Sequence, residues 1–447
     1  MKVFQVKEFG KIKSAKDFPN RINSSNEIFI PDTSFDNIWH YILEHQAKDS
    51  SIDKAFKLSS KKGKRIIQTK NYVGLLETKR RDIVEILPKI YGIDSQTESK
   101  KIFLKMLSTL KELNHISFQD AFLESKNNFP LLEIFILNFI KEAERILLKG
   151  IKKGYSKRER NARFLKGSLV FQKQLIKNLH NKSRFYINTI VFNENIPHNR
   201  LIKSTLLKVL NLTTKSRNKD NIVRLLNLLD NIPSSSSITN DINDVQNNSR
   251  LFKEYEKILK WAEVFLLNKG FTNFSGDNIN QAMLFPMEIV FENFIAHLFK
   301  KYSSGYEIKT QHNKHHLIES HIEKKIFALR PDIYAKKNGD KDDCIVIDTK
   351  WKIINEHLTK KKYLISQADL YQLYAYGKKY QEGENEPRLY LIYPYNKDFQ
   401  NRLSPFFYEE KAGKLKLELL AIPFDIRHNH KKQVESILNK FFSVQGF

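Results

Sequence analysis

One stretch, "RPDIYAKKNGDKDDCIVIDTKWK" (Arg330 to Lys352), constrains the fold more than any other. It reads as two strand-like runs around a polar turn containing Asn-Gly, a strong hairpin signal. A pairing centred on Asp340 sets Asp332 opposite Asp348. Opposed residues of an antiparallel pair share a face, with Cβ atoms roughly 5 Å apart. Lys350, two residues beyond Asp348, falls on that face as well. Strand interiors usually exclude Asp and Lys. A surface Asp–Lys pair on an edge hairpin would also explain the spacing. Against it stands "CIVI", a continuous apolar run of the kind buried on both faces, directly before Asp348.

Two carboxylates that close repel each other unless a cation lies between them. Oxygen ligands in this arrangement suit magnesium, with manganese as the alternative. Such an ion lowers the pKa of bound water and stabilises charge on a transferring phosphate. Lys350 could orient that water or neutralise the phosphate. Downstream, the helix expected over "SQADLYQLYAYGKKY" places Gln372 and Tyr376 four residues apart on one face. There they could reach a phosphate or metal-bound water; the alternative is a polar side turned to solvent. Ser366 and Asp369 at its start come close to a capping box. Upstream, "MEIVFENFIAHLF" carries Glu288 and Glu292 at the same spacing, and Glu292 interrupts an apolar stretch as if aimed into the site.

The charge balance points the same way. Lys and Arg number 76 against 50 Asp and Glu, a net charge of +26. Neutralising phosphates releases counterions, so the excess favours a nucleic acid over a membrane partner. A solvated basic surface is the plainer alternative. The apolar fraction of 41% can fill buried cores, which argues against wholesale disorder. A single cysteine, Cys344, excludes an intrachain disulfide and a multi-thiolate zinc site. The start, "MKVFQVKEFGKIK", has no apolar signal region. The most apolar run, "LLEIFILNFI", holds Glu133 and Asn138 and falls far short of the ~20 residues of a membrane span. These features read as a cytoplasmic protein without a membrane partner.

Three regions are expected. Residues 1–100 read as β-containing, with "KRIIQTKNYVGLLETK" and "DIVEILPKIYG" flanking a charged turn. Residues 101–275 read as mainly helical, led by the apolar stripe Leu132, Phe135, Ile136, Phe139 and Ile140. A flexible Ser/Asn-rich tract lies near 233–249, and "FTNFSGDN" reads as a loop. Residues 276–447 run helix, strands, helix, strand, the order of an α/β module. The expected class is therefore α/β and α+β multidomain.

With those residues in place, the chain resembles the PD-(D/E)XK nuclease superfamily in its RecB-like branch, and within it the McrC family. The resemblance rests on "NYVGLLETKRRDIVEILPKI", "FIKEAERILLKGIKKGYSKRERNARFLKGSLVFQKQL", "IPHNRLIKSTLLKVL", "MEIVFENF" and "LRPDI…IDTKWK…ADLYQLYAY", in that order, over about residues 60 to 395. It implies a restriction-endonuclease-like C-terminal core. Asp332, Asp348 and Lys350 match the catalytic triad, Glu292 the first-helix acid, and Gln372 and Tyr376 the Q-x-x-x-Y motif. Asp332, Asp348 and Glu292 would then hold Mg2+. The resemblance further implies DNA cleavage in a modification-dependent restriction system and a hexameric McrB-like AAA+ GTPase partner, stimulated by residues 1–100. Modified double-stranded DNA is the implied substrate, with dimerisation one route to double-strand cleavage. The chain has no G-x-x-x-x-G-K-[ST] loop, which fits a motor on another subunit. A stand-alone RecB-like nuclease and a non-enzymatic activator or DNA clamp remain the alternatives.

Other polar clusters read as structural. His312, His315, His316 and His321 match no fixed metal template and fit an exposed strand and turn. "KKGKR" and "KRER" suit phosphate contact or a solvated face equally. Asn193, Asn195, His198 and Asn199 are expected to order a loop before a helix.

Overall fold

The structure is a computed structural model. It describes residues 2–110, 130–247, 252–267, 282–340, 343–381, 386–411 and 414–439, apart from positions 25, 48, 49, 79, 81 and 94. The expected loop "FTNFSGDN" lies outside the described residues. The fold is mixed α/β and divides into two compact units. One unit takes the described residues of Met1–Asn114 and Leu284–Phe447; the other takes those of Phe129–Met283.

In the first unit a six-stranded mixed sheet runs Tyr306–Thr310, Ile333–Lys337, Cys344–Thr349, Arg388–Pro394, Lys414–Phe424, Phe406–Lys411. The hairpin pairs Ile333 with Ile347 and Ala335 with Ile345, the register the sequence predicts. Gly339, at φ +81°, lets the chain reverse there. The three central strands, Cys344–Thr349, Arg388–Pro394 and Lys414–Phe424, are parallel neighbours. Parallel pairing needs a crossover, and the helix Gln367–Lys379 supplies it between the first two. Its Leu373 and Tyr376 pack against Val346, Leu389 and Leu391. On the other face Phe291 of the helix Met287–Tyr302 lies 5.3 Å from Trp351, and Phe294 lies 5.4 Å from His430 of the helix His430–Asn439. A strand buried on both faces must be apolar throughout, which is why "CIVI" reads as it does.

The described residues of the first hundred belong to this same unit. They contribute strands to two four-stranded sheets. One sheet joins Lys2–Lys7, Asp82–Leu87 and Tyr72–Glu77 to Ala282–Pro286; the other joins Glu27–Ile30, Lys11–Ser14, Lys64–Thr69 and Phe56–Lys61. The expected pair around the charged turn is present, with Leu76 opposite Val84. The buried carboxylate of Glu8 accepts bonds from Trp351 Nε1 at 3.0 and 3.1 Å and from Lys89 N–H at 2.7 Å, tying the N-terminal strands to the end of the Cys344–Thr349 strand.

The second unit adds a small sheet to its helices. The helices Leu131–Leu148, Pro197–Leu212, Ser216–Leu228, Ile238–Asn247 and Glu256–Leu267 are joined by a sheet of Gly154–Ala162, Phe185–Asn193 and Ser168–Leu169. The first two strands pair over nine residues, from Phe185–Ala162 to Asn193–Gly154. The side chains of Gly154–Ala162 are largely exposed on both faces, so no apolar alternation marks that strand in sequence; Phe185–Asn193 buries Ile187 and Thr189. Part of the supposed flexible tract is the helix Ile238–Asn247, anchored by Asp241, which pairs bidentately with Arg200 at 2.5 and 3.0 Å.

Candidate active site

The site is assembled where the hairpin strands end. Asp332 and Asp348 are both buried, with Asp348 1% exposed. Asp332 Oδ2 accepts from Thr349 N–H and from Thr349 Oγ1, each at 2.7 Å, so the strand carrying one acid holds the other in place. Lys350 Nζ lies 2.5 Å from Asp348 Oδ2. The Lys350 ammonium is the partner of that oxygen.

Burial raises both carboxyls well above the usual range. For Asp332 the charge of Glu292 adds to this, and for Asp348 that of Asp332. Burial alone would lower the Lys350 ammonium, but the charge and contact of Asp348, with Asp332 behind it, outweigh burial and raise it. Lys350 therefore stays protonated at neutral pH. It serves as a charge and a donor, not as a proton acceptor.

The expected partners converge here with more specific tasks. Gln372 Oε1 accepts from Lys350 Nζ at 3.2 Å, and Gln372 Nε2 donates to Tyr376 Oη at 2.7 Å. Tyr376 Oη donates in turn to the Arg330 carbonyl at 3.1 Å. Gln372 thus aims Lys350, and Tyr376 pins the chain just before Asp332. Burial pushes the Tyr376 hydroxyl up to about 12, keeping it a donor. Glu292 lies close enough to raise Asp332, yet its carboxylate accepts from Gln311 Nε2.

Thr349, Trp351, Lys352 and Asp369 were not read from the sequence as parts of the site. Thr349 holds Asp332. Asp369, expected as a capping residue, instead pairs with Lys352 Nζ at 2.9 and 3.0 Å, and Ser366 makes no side-chain cap bond. Trp351 is held by Glu8. The signal for Lys352 was present: in "DTKWK" it continues the period-two face of Asp348 and Lys350.

The other clusters are structural. His312 stacks on Tyr334 at 5.1 Å and 12°, and His315 lies 4.5 Å from Tyr380. His316–His321 is a strand of an exposed hairpin. In the second unit Asn199 Nδ2 donates to the carbonyls of Glu194 and Lys152, while His198 stacks on Phe252 and burial holds its imidazole down at about 4.

A divalent cation fits what is present. Magnesium keeps several waters and takes only one or two carboxylates from protein. Among the described residues no group of three or more His, Cys, Asp or Glu forms a closed metal site. Asp332 and Asp348, two buried carboxylates side by side at one strand end, are the residues that could hold such an ion in an open site.

The geometry can be set beside known proteins. The family model described as the McrBC 5-methylcytosine restriction system component matches residues 67–394. The chain belongs to the McrBC family. Among solved structures, a chain of the refined half-complex from the tetradecameric assembly of Thermococcus gammatolerans McrB AAA+ hexamers with bound McrC matches with a TM-score of 0.66 at 18% identity, over 98% of this chain and 100% of that one. A cryo-EM structure of the Thermococcus gammatolerans McrBC complex matches at 19% identity and a TM-score of 0.46, over 68% and 89%. No curated protein matches. At this identity the likeness of the first structure concerns the fold, and it extends over 98% of this chain. Among the described residues no helix is long and apolar enough to cross a membrane.

Proposed function

We propose that this chain is the DNA-cleaving subunit of an McrBC-type restriction system, with a restriction-endonuclease-like PD-(D/E)XK core and Mg2+ as cofactor. The observation that carries the proposal is the meeting of Asp332, Asp348 and Lys350 at one strand end, with both acids buried and raised. Isolated acids are rarely buried without a cation or proton to balance them.

Asp332 and Asp348 would hold the metal, with Glu292 assisting once it leaves Gln311. The bound ion supplies a lowered pKa for its water and positive charge toward the phosphate. The chain does the rest. Thr349 fixes Asp332 Oδ2, leaving Oδ1 to face a ligand. Lys350, held protonated and aimed by Gln372, places a fixed charge beside the scissile phosphate and orients the attacking water. Tyr376 keeps the two hairpin strands in register with the helix through Arg330.

The partner reading extends from the Thermococcus structure, in which McrC is bound to McrB AAA+ hexamers. We place the docking surface on the second unit rather than on residues 1–100. Tyr155, Phe164, Phe171, Ile176, Ile190 and Phe192 are each at least 58% exposed there. Exposed apolar groups this dense mark a protein contact. The described residues of 1–100 expose fewer such groups, Phe9, Ile22, Leu43 and Tyr91.

Asp348→Asn removes one charge from the site and keeps its shape. With magnesium, the AAA+ partner and modified DNA, cleavage should fall at least a thousandfold. Equal cutting by variant and parent would refute the assignment.

A further inference from the structure

A second recess lies apart from the two acids, and strand direction explains its position. The three parallel strands end side by side. The segments leaving them, carrying Trp351, Tyr395 and Arg427, line one side of a cavity of about 630 Å3; Lys89 and Tyr91 line the other. Open α/β sheets take ligands in the crevice beyond the carboxyl ends of their strands. Side-chain alternation separates this crevice from the acids. Lys350 and Lys352 turn to Gln372 and Asp369, whereas Trp351 between them turns to Phe291 and Glu8.

The lining is cationic and aromatic. Four cations, Lys7, Lys89, Lys397 and Arg427, face two acids, Asp398 and Asp425. Arg427 neutralises Asp425 through bonds of 2.8 and 2.6 Å and lies 5.3 Å over the Tyr395 ring. Lys7 donates to the Ile93 carbonyl at 3.0 Å. Lys89 and Lys397 are exposed at the opening. Tyr91 lies 5.8 Å from Tyr395, tilted, and keeps a face toward solvent. Gly92 lies beneath them at φ +72°, a backbone conformation that residues with a Cβ rarely adopt. The volume falls within the ~300–1,000 Å3 of small-molecule sites.

We propose that this recess binds a nucleotide, with its phosphate between Lys89 and Lys397 and its base on the Tyr91–Tyr395 pair. Ammonium groups beside an aromatic platform are how proteins hold single nucleotides without reading sequence. A free nucleotide and an unpaired nucleotide of DNA share this chemistry. Only the second source rests on the nuclease reading, by giving the substrate strand a hold beside the cleavage site.

The test is calorimetric titration of the full chain in EDTA, so that no metal-supported cleavage intervenes. The probes are deoxyadenosine 5′-monophosphate, deoxyadenosine, inorganic phosphate and a five-residue oligodeoxyadenylate. The monophosphate should bind at least tenfold more tightly than either the nucleoside or phosphate. Lys89→Ala with Lys397→Ala should weaken it at least tenfold. Tyr91→Ala should weaken it by a similar factor while leaving phosphate binding unchanged. An oligonucleotide binding at least as tightly, and lost in the same variants, assigns DNA as the source; tighter monophosphate binding assigns the free nucleotide. No binding of either, or binding indifferent to all three substitutions, overturns the proposal. A parent chain that cleaves DNA but binds no nucleotide here refutes the recess alone. One that binds the nucleotide but cleaves nothing refutes the nuclease reading alone.

Discussion

At the scale of single residues the site works through unequal environments. Asp332 and Asp348 carry the repulsion a cation would relieve, and Lys350 partly relieves it in the metal's place. Magnesium should therefore raise the thermal midpoint of the parent chain, because a ligand that binds only the folded state stabilises it. Lys350→Ala should keep that rise and lose cleavage, whereas Asp332→Ala should lose both. A magnesium effect lost equally in the two variants would make Lys350 a structural residue. Glu8 offers a separate titration. Burial, against the bonds from Lys89 and Trp351, raises its carboxyl from 4.5 to about 7. The folded chain thus holds this proton more tightly than the unfolded one. The stabilisation is full below pH 4.5, is lost as pH rises toward 7, and is constant above. The loss is about 3 kcal/mol at ~1.4 kcal/mol per pH unit. Glu8→Gln keeps an acceptor for Lys89 and Trp351 and should flatten this part of the profile. Denaturant midpoints of parent and variant between pH 4.5 and 8 should diverge; parallel curves would refute the assignment.

Among elements, the helix Leu131–Leu148 shows why a charge can interrupt an apolar stripe. Glu133 is fully buried, yet its carboxylate accepts from Thr213 Oγ1 and Thr214 N–H at 2.6 Å and from Thr214 Oγ1 and Asn218 Nδ2 at 2.9 Å. It satisfies the start of the Ser216–Leu228 helix, where Lys215 makes no side-chain cap bond, and it lies at the positive end of that helix dipole. Glu133→Ala orphans these donors. Each such buried donor costs roughly 1–3 kcal/mol, so the second unit should lose about 3 kcal/mol or more. Urea unfolding followed by Trp261 fluorescence measures it, and a loss under about 1 kcal/mol would mean that water replaces the carboxylate.

On the scale of the whole molecule, chemistry and partner contact are assigned to different compact units, so their defects should separate. The triple change Asp332→Ala, Asp348→Ala, Lys350→Ala should leave stimulation of the partner GTPase near normal. Phe164→Ser with Ile176→Ser, both about 80% exposed in the parent, should reduce stimulation at least tenfold and keep the magnesium-dependent rise in thermal midpoint. GTP turnover by the AAA+ partner with each variant decides this. Stimulation lost in the triple variant, or untouched in the double one, would put the docking surface elsewhere. Deleting residues 1–91 is a poor alternative, because it would strip Glu8 from Trp351 and unpair the Lys2–Lys7 strand from Asp82–Leu87.

What the sequence by itself determined was local and periodic. The hairpin register followed from the turn and the period-two face, which is why Asp332, Asp348 and Lys350 fall together on one face in the sequence pattern alone. The two helices of the site followed from their apolar spacing. Tertiary structure decided whatever depends on distant partners. The bond from Glu292 to Gln311, the choice of Lys352 over a capping role for Asp369, and the joining of residues 2–110 with 284–439 in one unit are contacts between segments far apart in the chain. The strands Gly154–Ala162 and Phe185–Asn193 escaped sequence reading for a related reason. Burial writes an alternating pattern into a strand; Gly154–Ala162 is exposed on both faces, Phe185–Asn193 buries only Ile187 and Thr189, and the two pair with each other over nine residues.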